Sequence, residues 1–575
     1  MSTPVIDPIT FEVLRNAFTE VTEMMSLTLR RSAYSTNIKT RADFSCALFD
    51  DQMQPIAQSF SQANHLGSLV KMVPQMIAEY GPARLGSGDV LVGNDPYRGG
   101  AHLNDILVVS PVVIDGERVA WVANLAHHVD VGGGAPASIG AFREVYQEGV
   151  IIPPVKLVAA GEIVSDVFAL TLSQVRAKRE TAGDFRAQFA ANVTGVQRFT
   201  TLIDRYGSSE IMRYVAELIE YTDRRTQAEI AALPRGTYSA TGVVDTDGFT
   251  ESPVHLQATI TIAENGVTFD LTGCDPQRRS PVNMTYSQAF SACAYVLKCL
   301  IDPDIPVNAG FYRHVNMIAP QGTVAHAAHP GPVVGGWETN SRLTDVMLLA
   351  LAPGMPDRVP AGTKGMICHA GFGGVDPRTG EFYCFLETLA GGYGGRQGLD
   401  GPDAVQAHGQ NTENAPIEET ELNYPVRITR YELVDDSDGA GQWRGGLGLR
   451  RDYHFPDHGP SFTVLSDRDR WGPHGLFGGS AGERAHYILN PGPNQRCLSS
   501  KATVDLQIGD TVSYRTCGGG GYGPPAARDP ELVLRDVRHG IVSLERAATE
   551  YRVIIDRASW SVDRSATARV RESLS

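Results

Sequence analysis

The sequence predicts an α+β protein with a mixed, multi-layered architecture, β-hairpins and a strand-rich, Gly-rich C-terminal part. Three patterns support this class. Apolar residues recur every three or four positions over 8–32, which is typical of an amphipathic helix. Two runs rich in β-branched residues flank Asp115-Gly116, which indicates a hairpin. In the last two fifths of the chain, short apolar runs alternate with Gly, Pro and Asp turns.

The remaining elements follow from the same periodicities, taken in chain order. Asp7 and Pro8 predict the start of the first helix. Gly81 predicts the end of a second helix over 65–81, in which Pro74 is expected to limit or kink the first half. The sequence also predicts a strand over 41–52 and a short strand in "GDVLVGNDPY". Helices are expected on both sides of 205–210, with Gly207 ending the first and Ser208 or Ser209 capping the second. A hairpin over 255–273 should turn at Asn265-Gly266, and further helices are expected over 287–301 and 344–352.

These elements suggest four regions. We expect an N-terminal α+β region that holds the functional site, a helical segment, an α+β middle region and a β-rich, Gly-rich C-terminal region. Their predicted bounds are 1–175, 176–235, 236–355 and 356–575.

Composition argues against several classes of protein. A formal net charge of −15 over 575 residues disfavours general nucleic-acid binding, which needs Lys and Arg to neutralise phosphates. No uninterrupted apolar stretch reaches about 18 residues, and "MSTPVIDPITFEVL" lacks the basic flank and apolar core of a signal peptide. The eight cysteines form no CxxC pair, and no standard nucleotide-binding motif is present. We therefore expect a cytoplasmic enzyme with neither a nucleic-acid nor a membrane partner.

The first hairpin gathers polar residues that are distant in sequence. With Asp115-Gly116 as its turn, strict register pairs Asp105 with Ala126 and so places it beside His127. Pro111 cannot donate a ladder hydrogen bond, and a bulge there would slip this register by one residue. In either register we expect Asp105 and His127 to lie close together, with His102 where the chain enters the hairpin.

Two imidazoles and one carboxylate at the end of a hairpin suit Zn²⁺, Mn²⁺ or Fe²⁺. Three protein ligands leave coordination positions open, which is the pattern of a catalytic rather than a structural metal site. The alternative is a polar turn in which His102, Asp105 and His127 form ordinary hydrogen bonds. Nearby polar side chains that could support the site or move protons are those of Asp95, His128 and Asp130.

Five segments of this sequence resemble the hydantoinase B/oxoprolinase family, and the resemblance runs over essentially the whole chain. They are "VIDPITFEVLRNAF", "NDPYRGGAHLNDILVVSPV", "AHHVDVGGGAPASIGAFREVYQEGVIIPPVKL", "ENAPIEETELNYPVRITRYELVDDSDGAGQWRGGLGLRR" and "TCGGGGYGPPAARDPELVLRDVRHGIVS". One departure is Cys517, which stands where many relatives are expected to have Pro, so a nucleophilic role for this thiol stays open.

The resemblance implies a division of labour between two subunits. A separate A-type (α) subunit with an actin-like fold binds ATP and Mg²⁺ and phosphorylates the carbonyl oxygen of the substrate. The B-type (β) subunit then completes the reaction, and an α2β2 or similar heteromer is expected. The metal site of the carboxylating members matches His102, Asp105 and His127, with His128 as the fallback for the last ligand. Asp43 matches an acidic position of the family's active site and would be a general base or a further ligand.

We therefore predict the B-type subunit of an ATP-dependent cyclic amide hydrolase that opens a hydantoin or lactam ring with metal-activated water. Asp43 or His128 would move the proton, and backbone amides of Gly132–Gly134 would stabilise oxyanion charge. One alternative is a subunit of an ATP-dependent ketone carboxylase, although the acetone carboxylase counterparts are expected to be longer. The other is a non-catalytic structural partner of the ATPase subunit. The sequence leaves the identity of the ring and of the metal open.

Overall fold

The computed structural model describes residues 6–59, 62–264 and 266–572. Its α-helices are α1 (Pro8–Ser32), α2 (Thr36–Lys39), α3 (Ala63–Tyr80), α4 (Ser165–Ser173), α5 (Lys178–Tyr206), α6 (Ser208–Ala232), α7 (Tyr286–Leu300), α8 (Ala309–Tyr312), α9 (Gly336–Leu351), α10 (Ile417–Asn423), α11 (Pro530–Arg538), α12 (Leu544–Thr549) and α13 (Arg564–Glu572). Its strands are β1 (Phe44–Asp50), β2 (Pro55–Gln58), β3 (Val90–Gly93), β4 (Asp105–Ile114), β5 (Glu117–His127), β6 (Val155–Ala159), β7 (Glu162–Ile163), β8 (Gly236–Val244), β9 (Val254–Ala263), β10 (Gly266–Asp270), β11 (Val315–Ile318), β12 (His369–Val375), β13 (Phe382–Thr388), β14 (Arg427–Val434), β15 (Gly448–His454), β16 (Ser461–Leu465), β17 (His486–Leu489), β18 (Arg496–Cys497), β19 (Lys501–Asp505), β20 (Thr511–Arg515), β21 (Ile555–Asp556) and β22 (Ser561–Val562).

A seven-stranded sheet of order β2-β1-β5-β4-β3-β6-β7 organises the N-terminal part. Successive residues of a strand point to opposite faces, so its central strands bury apolar residues on both sides. On β1, Cys46 and Leu48 share a core with α1, α5 and α6, whereas Ala47 and Phe49 share a core with α3. The sheet is therefore the middle layer between two helical layers, which confirms the α+β class and its multi-layered architecture.

The β4-β5 hairpin forms as predicted, but its register differs from the strict one. Asp105 pairs directly with His127 rather than with Ala126, because the register shifts between Val112 and Val113. The extra residue is Val119 on β5, which lies opposite the step from Val112 to Val113. A bulge near the proline thus slips the pairing by one residue, as Pro111 suggested it could.

Every predicted helix is present, with differences at some of their ends and at Pro74. Asp7 caps α1 by accepting a hydrogen bond from the backbone N–H of Thr10. α3 begins at Ala63 and continues through Pro74 to its C-cap at Gly81, so the proline does not divide it. Gly207, with φ +83°, ends α5 and also occupies the N-cap of α6, so neither predicted serine is the cap.

α9 begins at Gly336, eight residues before the predicted start at 344. Its first turns carry polar side chains that are nonetheless buried, including Glu338, Asn340 and Arg342. Asn340 donates to the backbone carbonyl of Gln288, and Arg342 donates to that of Val243. The sequence of these turns shows no hydrophobic periodicity, because polar partners in the interior replace apolar contacts.

The middle and C-terminal parts form further sheets. β11-β10-β9-β8 packs with α7 and α9, and its β9-β10 hairpin lies where it was predicted, although Asn265 is outside the described residues. β13-β12-β16-β19 and β14-β15-β20-β17-β18 share one core. Among the described residues, no helix combines the length and apolar character needed to cross a bilayer.

The C-terminal glycine clusters allow backbone to pack directly on backbone. A Cβ atom at Gly445 would lie 1.9 Å from the carbonyl oxygen of Gly519, and one at Gly392 would lie 2.1 Å from the Gly519 nitrogen. These glycines have no need of positive φ, because what excludes a side chain is the close approach of neighbouring segments.

Candidate metal centre

The site forms at one end of the seven-stranded sheet, on the face that carries α3. Asp105 is the first residue of β4 and His127 is the last of β5, which pairs with both β4 and β1. Asp43 directly precedes β1, and its backbone carbonyl accepts the N–H of His127 at 3.0 Å. Asp105 and His127 alternate in phase with Leu107 and Leu125, which face α3. The sheet therefore brings three distant polar residues to one edge and one face.

His102 reaches this edge through a tight turn. Gly99 has a φ of +83°, and a Cβ there would lie 2.9 Å from the backbone carbonyl carbon of Lys71 in α3. The carbonyl of Gly100 accepts hydrogen bonds from the hydroxyls of Thr285 and Ser287 at the start of α7, at 2.9 and 2.5 Å. The turn that delivers His102 is thus held between two helices, and glycine is required where it touches α3.

The three predicted ligands lie together in the protein interior. Their ligand atoms are all within 4.8 Å of one another. His102 Nε2 is 3.2 Å from Asp105 Oδ2, and the rings of His102 and His127 are 4.9 Å apart. None of the three residues is more than 4% exposed. Ligand atoms that share one ion at about 2 Å in a tetrahedral site lie roughly 3.3 Å apart, which the separation of His102 Nε2 and Asp105 Oδ2 matches.

These residues have buried polar atoms for which the protein supplies no hydrogen-bond partner. The orphaned atoms are both ring nitrogens of His102, Nε2 of His127 and Oδ1 of Asp105. Leaving such groups unpaired costs about 1–3 kcal/mol each. One nitrogen from each histidine and one oxygen of Asp105 make up the donor set of a divalent transition metal, so the residues present fit such an ion.

The electrostatics of this cluster agree with that fit. Burial, followed by the neighbouring histidines, lowers the pKa values of His102 and His127 well below the usual range. Burial and the nearby Asp43 raise the pKa of Asp105 well above its usual range. Neutral imidazoles are the form that ligates metals, and a divalent ion would supply the positive charge that the buried carboxylate lacks.

A small cavity of about 30 Å³ opens beside the cluster, which is room enough for water. Residues of the N-terminal sheet, α3, α9 and the C-terminal sheet line it together. They are Asp43, Gln62, Asn64, His65, His127, Trp337, Ile367, His369, Thr388, Gln410 and Thr412.

Three residues of this site were not identified from the sequence. His65 Nε2 lies 3.7 Å from carboxylate oxygens of both Asp43 and Asp105. Trp337 Nε1 lies 3.4 Å from Asp105 Oδ2, where it donates a hydrogen bond. His369 begins β12 on the opposite wall of the cavity. The sequence marks His369 only by its position next to the glycine cluster "GFGG". Its place at the cavity depends on the packing of two sheets, which the sequence does not reveal.

Asp43 faces the cavity, whereas His128 does not. His128 follows His127 and points to the other face of the sheet, where its Nε2 lies 3.0 Å from Gln188 Oε1 of α5. Its ring is fully buried, 4.7 Å from that of Phe185. The strand alternation that aims His127 at the cavity therefore aims His128 away from it.

Other polar residues suggested by the sequence serve the surrounding loops. Asp95 pairs with Arg98, and Asp130 accepts hydrogen bonds from the backbone of Gly132 and from Arg176. Two of the backbone amides of Gly132–Gly134 are not free for an oxyanion, because the N–H of Gly132 donates to Asp130 and that of Gly134 donates to the carbonyl of Gln147. Cys517 is fully buried and burial raises the pKa of its thiol, which disfavours a thiolate nucleophile.

Known proteins resemble this chain over its whole length. The model of the Hydantoinase B/oxoprolinase family matches residues 7–525. An uncharacterized protein of Methanocaldococcus jannaschii, MJ0963, is 38% identical over 98% of this chain and 100% of its own length. The caprolactamase subunit beta of Pseudomonas jessenii is 32% identical, with 98% of each chain covered. The 5-oxoprolinase of Saccharomyces cerevisiae is 31% identical over 90% of this chain and 42% of its own length.

Solved structures show the same architecture. The crystal structure of the ATP-dependent caprolactamase from Pseudomonas jessenii superposes with a TM-score of 0.92 at 30% identity, covering 99% of this chain and 100% of that one. A nucleotide-free acetone carboxylase has a TM-score of 0.91 at 20% identity, covering 99% and 83%, which shows a shared fold. The match of the family model to nine tenths of the sequence, together with a relative of 38% identity, identifies this chain as a member of the hydantoinase B/oxoprolinase family.

Proposed function

We propose that this chain is the B-type subunit of an ATP-dependent cyclic amide hydrolase, which opens a lactam or hydantoin ring. A partner A-type subunit would bind ATP and Mg²⁺ and phosphorylate the carbonyl oxygen of the ring. Full-length similarity to a caprolactamase subunit and to a caprolactamase structure supports this proposal. So does a site suited to adding water to a carbonyl carbon.

The observation that carries the proposal is the buried group of His102, Asp105 and His127, with its unpaired atoms beside a small cavity. One divalent transition metal, Zn²⁺, Mn²⁺ or Fe²⁺, would be held there. When bound, such an ion lowers the pKa of a water molecule and polarises a carbonyl or phosphoryl oxygen.

Asp43 is the group best placed to take a proton from the attacking water. It faces the cavity, and His65 Nε2 lies 3.7 Å from its Oδ1. A carboxylate in this position acts as a general base when water adds to the activated carbon. His128, on the other face of the sheet, would instead support the strand that carries His127.

The partner would meet this subunit where the substrate enters. Because the cavity is small, about 30 Å³, the ring would lie at its mouth. A phosphorylated amide is readily hydrolysed, so the two subunits would have to enclose it. An α2β2 or similar heteromer would provide that closed interface.

Substitution of one ligand tests this proposal. In the complex reconstituted with its A-type partner, His102→Ala should remove the stoichiometric metal and lower ring opening at least 100-fold. His255→Ala is the matched control, because the His255 side chain is 64% exposed and outside the site. Metal content by mass spectrometry, together with product formation from hydantoin, 5-oxoproline and caprolactam, gives the readout. Unchanged turnover by His102→Ala would refute the proposal.

Two other functions predict different results in the same assays. A ketone carboxylase would require bicarbonate and a ketone and would form a carbon–carbon bond, whereas the hydrolase opens a ring without fixing carbon. A structural partner of the ATPase would have no need of stoichiometric metal. Metal analysis of the purified chain therefore separates that last alternative from both enzymes.

A further inference from the structure

The wall of the cavity opposite the metal cluster carries a second histidine system. His369 begins β12 in the C-terminal sheet and lines the same cavity as Asp43 and His127. It is 3% exposed and pairs in register with Thr388 of β13 and Leu465 of β16, so its backbone is held on both sides. This imidazole is therefore fixed on a rigid strand and is outside the proposed ligand set.

A buried carboxylate orients the ring of His369. Glu338, in the first turn of α9 and fully buried, lies with Oε1 3.1 Å from Nδ1 of His369. Its other oxygen accepts the backbone N–H of Ile367 at 2.6 Å. A carboxylate at Nδ1 selects the tautomer that carries a proton there and stabilises the doubly protonated ring. Among the described residues, none forms a hydrogen bond to Nε2, and His369 lines the cavity.

The proposed reaction, on which this inference rests, needs a proton donor as well as a base. Addition of water to the C=N bond of an O-phosphorylated amide, with the water proton passing through Asp43 to the ring nitrogen, gives a tetrahedral carbon with a hydroxyl, the phosphorylated oxygen and a ring N–H, and leaves Asp43 ionised. Loss of phosphate from this carbon returns the intact cyclic amide, so ATP is consumed without ring opening. Cleavage of the carbon–nitrogen bond opens the ring and leaves an acyl phosphate. An amine departs readily only if its nitrogen receives a proton as the bond breaks.

We propose that His369 donates this proton from Nε2 and that Glu338 is its positioning residue. As the carbon–nitrogen bond breaks, its electron pair remains on nitrogen, which takes the proton from His369. The hydroxyl proton passes to Asp43 as the carbonyl forms. A second water then hydrolyses the acyl phosphate to carboxylate and phosphate, and the proton on Asp43 returns to His369 through solvent. His369 thus decides which of two bonds breaks, and it couples ATP hydrolysis to ring opening.

Measuring two products in one reaction tests this assignment. With the full complex and whichever of hydantoin, 5-oxoproline or caprolactam the wild type opens, phosphate and ring-opened product are counted together. His369→Asn should lower ring opening about 100- to 10,000-fold. Phosphate release should fall much less, so the ratio of phosphate to product should rise at least tenfold. His255→Asn, at an exposed position, should leave the ratio unchanged.

Glu338→Gln provides a second variant that keeps the side-chain volume and an oxygen for the Ile367 amide. It should raise the ratio in the same direction, and Glu338→Asp should restore part of the coupling. A purely structural role for either residue would reduce both products together. An unchanged ratio in a folded, metal-loaded variant overturns the assignment while leaving the proposed function standing. By contrast, a wild-type complex that opens none of the three rings would count against the proposed function itself.

Discussion

The turn before His102 offers a sharp test of how the backbone builds the metal centre. Gly99 lies three residues before His102, with φ +83°, and a Cβ there would be 2.9 Å from both the carbonyl carbon and the oxygen of Lys71. Gly116, in the hairpin turn, has almost the same φ of +84° but no atom within 4 Å of an added Cβ. Alanine at each position therefore carries the same backbone cost, while only Gly99→Ala meets the backbone of α3.

The expected magnitudes follow from that difference. Alanine in the left-handed region costs about 1–2 kcal/mol, which is the whole effect expected for Gly116→Ala. Forcing a methyl group against helix backbone adds about 1–3 kcal/mol, so Gly99→Ala should lose about 2–5 kcal/mol. If the turn moves instead to relieve the clash, His102 moves with it. The extra 1–3 kcal/mol then appears as metal binding that is about 5- to 150-fold weaker.

Denaturant unfolding of the metal-free proteins measures the loss of folding stability. Competition with a chelator of known affinity measures the loss of metal affinity. Either the free energy of unfolding or the metal affinity should separate Gly99→Ala from Gly116→Ala. If the two variants match in both measurements, contact with α3 does not hold the turn.

Two further predictions concern neighbouring groups. Trp337→Phe keeps an aromatic side chain, although a smaller one, and removes the indole N–H that lies 3.4 Å from Asp105, so metal affinity measured by the same competition should fall about tenfold. Unchanged affinity would show that the indole does not orient the carboxylate. Burial raises the pKa of Glu148 from 4.5 to about 8, so the folded state holds a proton that the unfolded chain has lost. As the pH rises from about 5 to about 8, the free energy of unfolding of the wild type should therefore fall relative to that of Glu148→Gln. The glutamine still accepts the Val333 and Val334 amides. Parallel plots of unfolding free energy against pH for the two proteins, measured with denaturant, would contradict this prediction.

The part of the site that could be predicted from sequence depends on local rules. A two-residue turn and β alternation place Asp105 beside His127, and the same alternation separates His127 from His128. The bulge near Pro111 shows where such rules lose precision, since a single inserted residue moves every pair beyond it. Local patterning thus predicted which ends of the strands meet, while the register depended on one irregularity.

The opposite wall could not be predicted in this way, because its residues meet only through tertiary packing. Glu338 and His369 are 31 residues apart on a helix and a strand that share no hydrophobic pattern. Moreover, α9 buries Glu338 and Asn340 by pairing them with polar partners, so the sequence there resembles a surface loop more than a core helix. Burial of paired polar residues is the feature that single-sequence patterns hide most completely.

Substitutions on the two walls of the cavity, the metal ligands on one and His369 with Glu338 on the other, would have different consequences during evolution. His102, Asp105 and His127 come from one hairpin and its entry turn, so a change there alters the ion and with it any reaction that the ion supports. His369 lines the cavity from β12, and Glu338 of α9 contacts its Nδ1. Among the described residues, neither side chain forms a hydrogen bond to the hairpin. A substitution on this wall can alter which bond of an activated intermediate breaks while the cluster of ligands stays intact. One scaffold could therefore support ring opening in one protein and another fate of a phosphorylated substrate in a relative, by replacing proton donors and leaving the metal ligands unchanged.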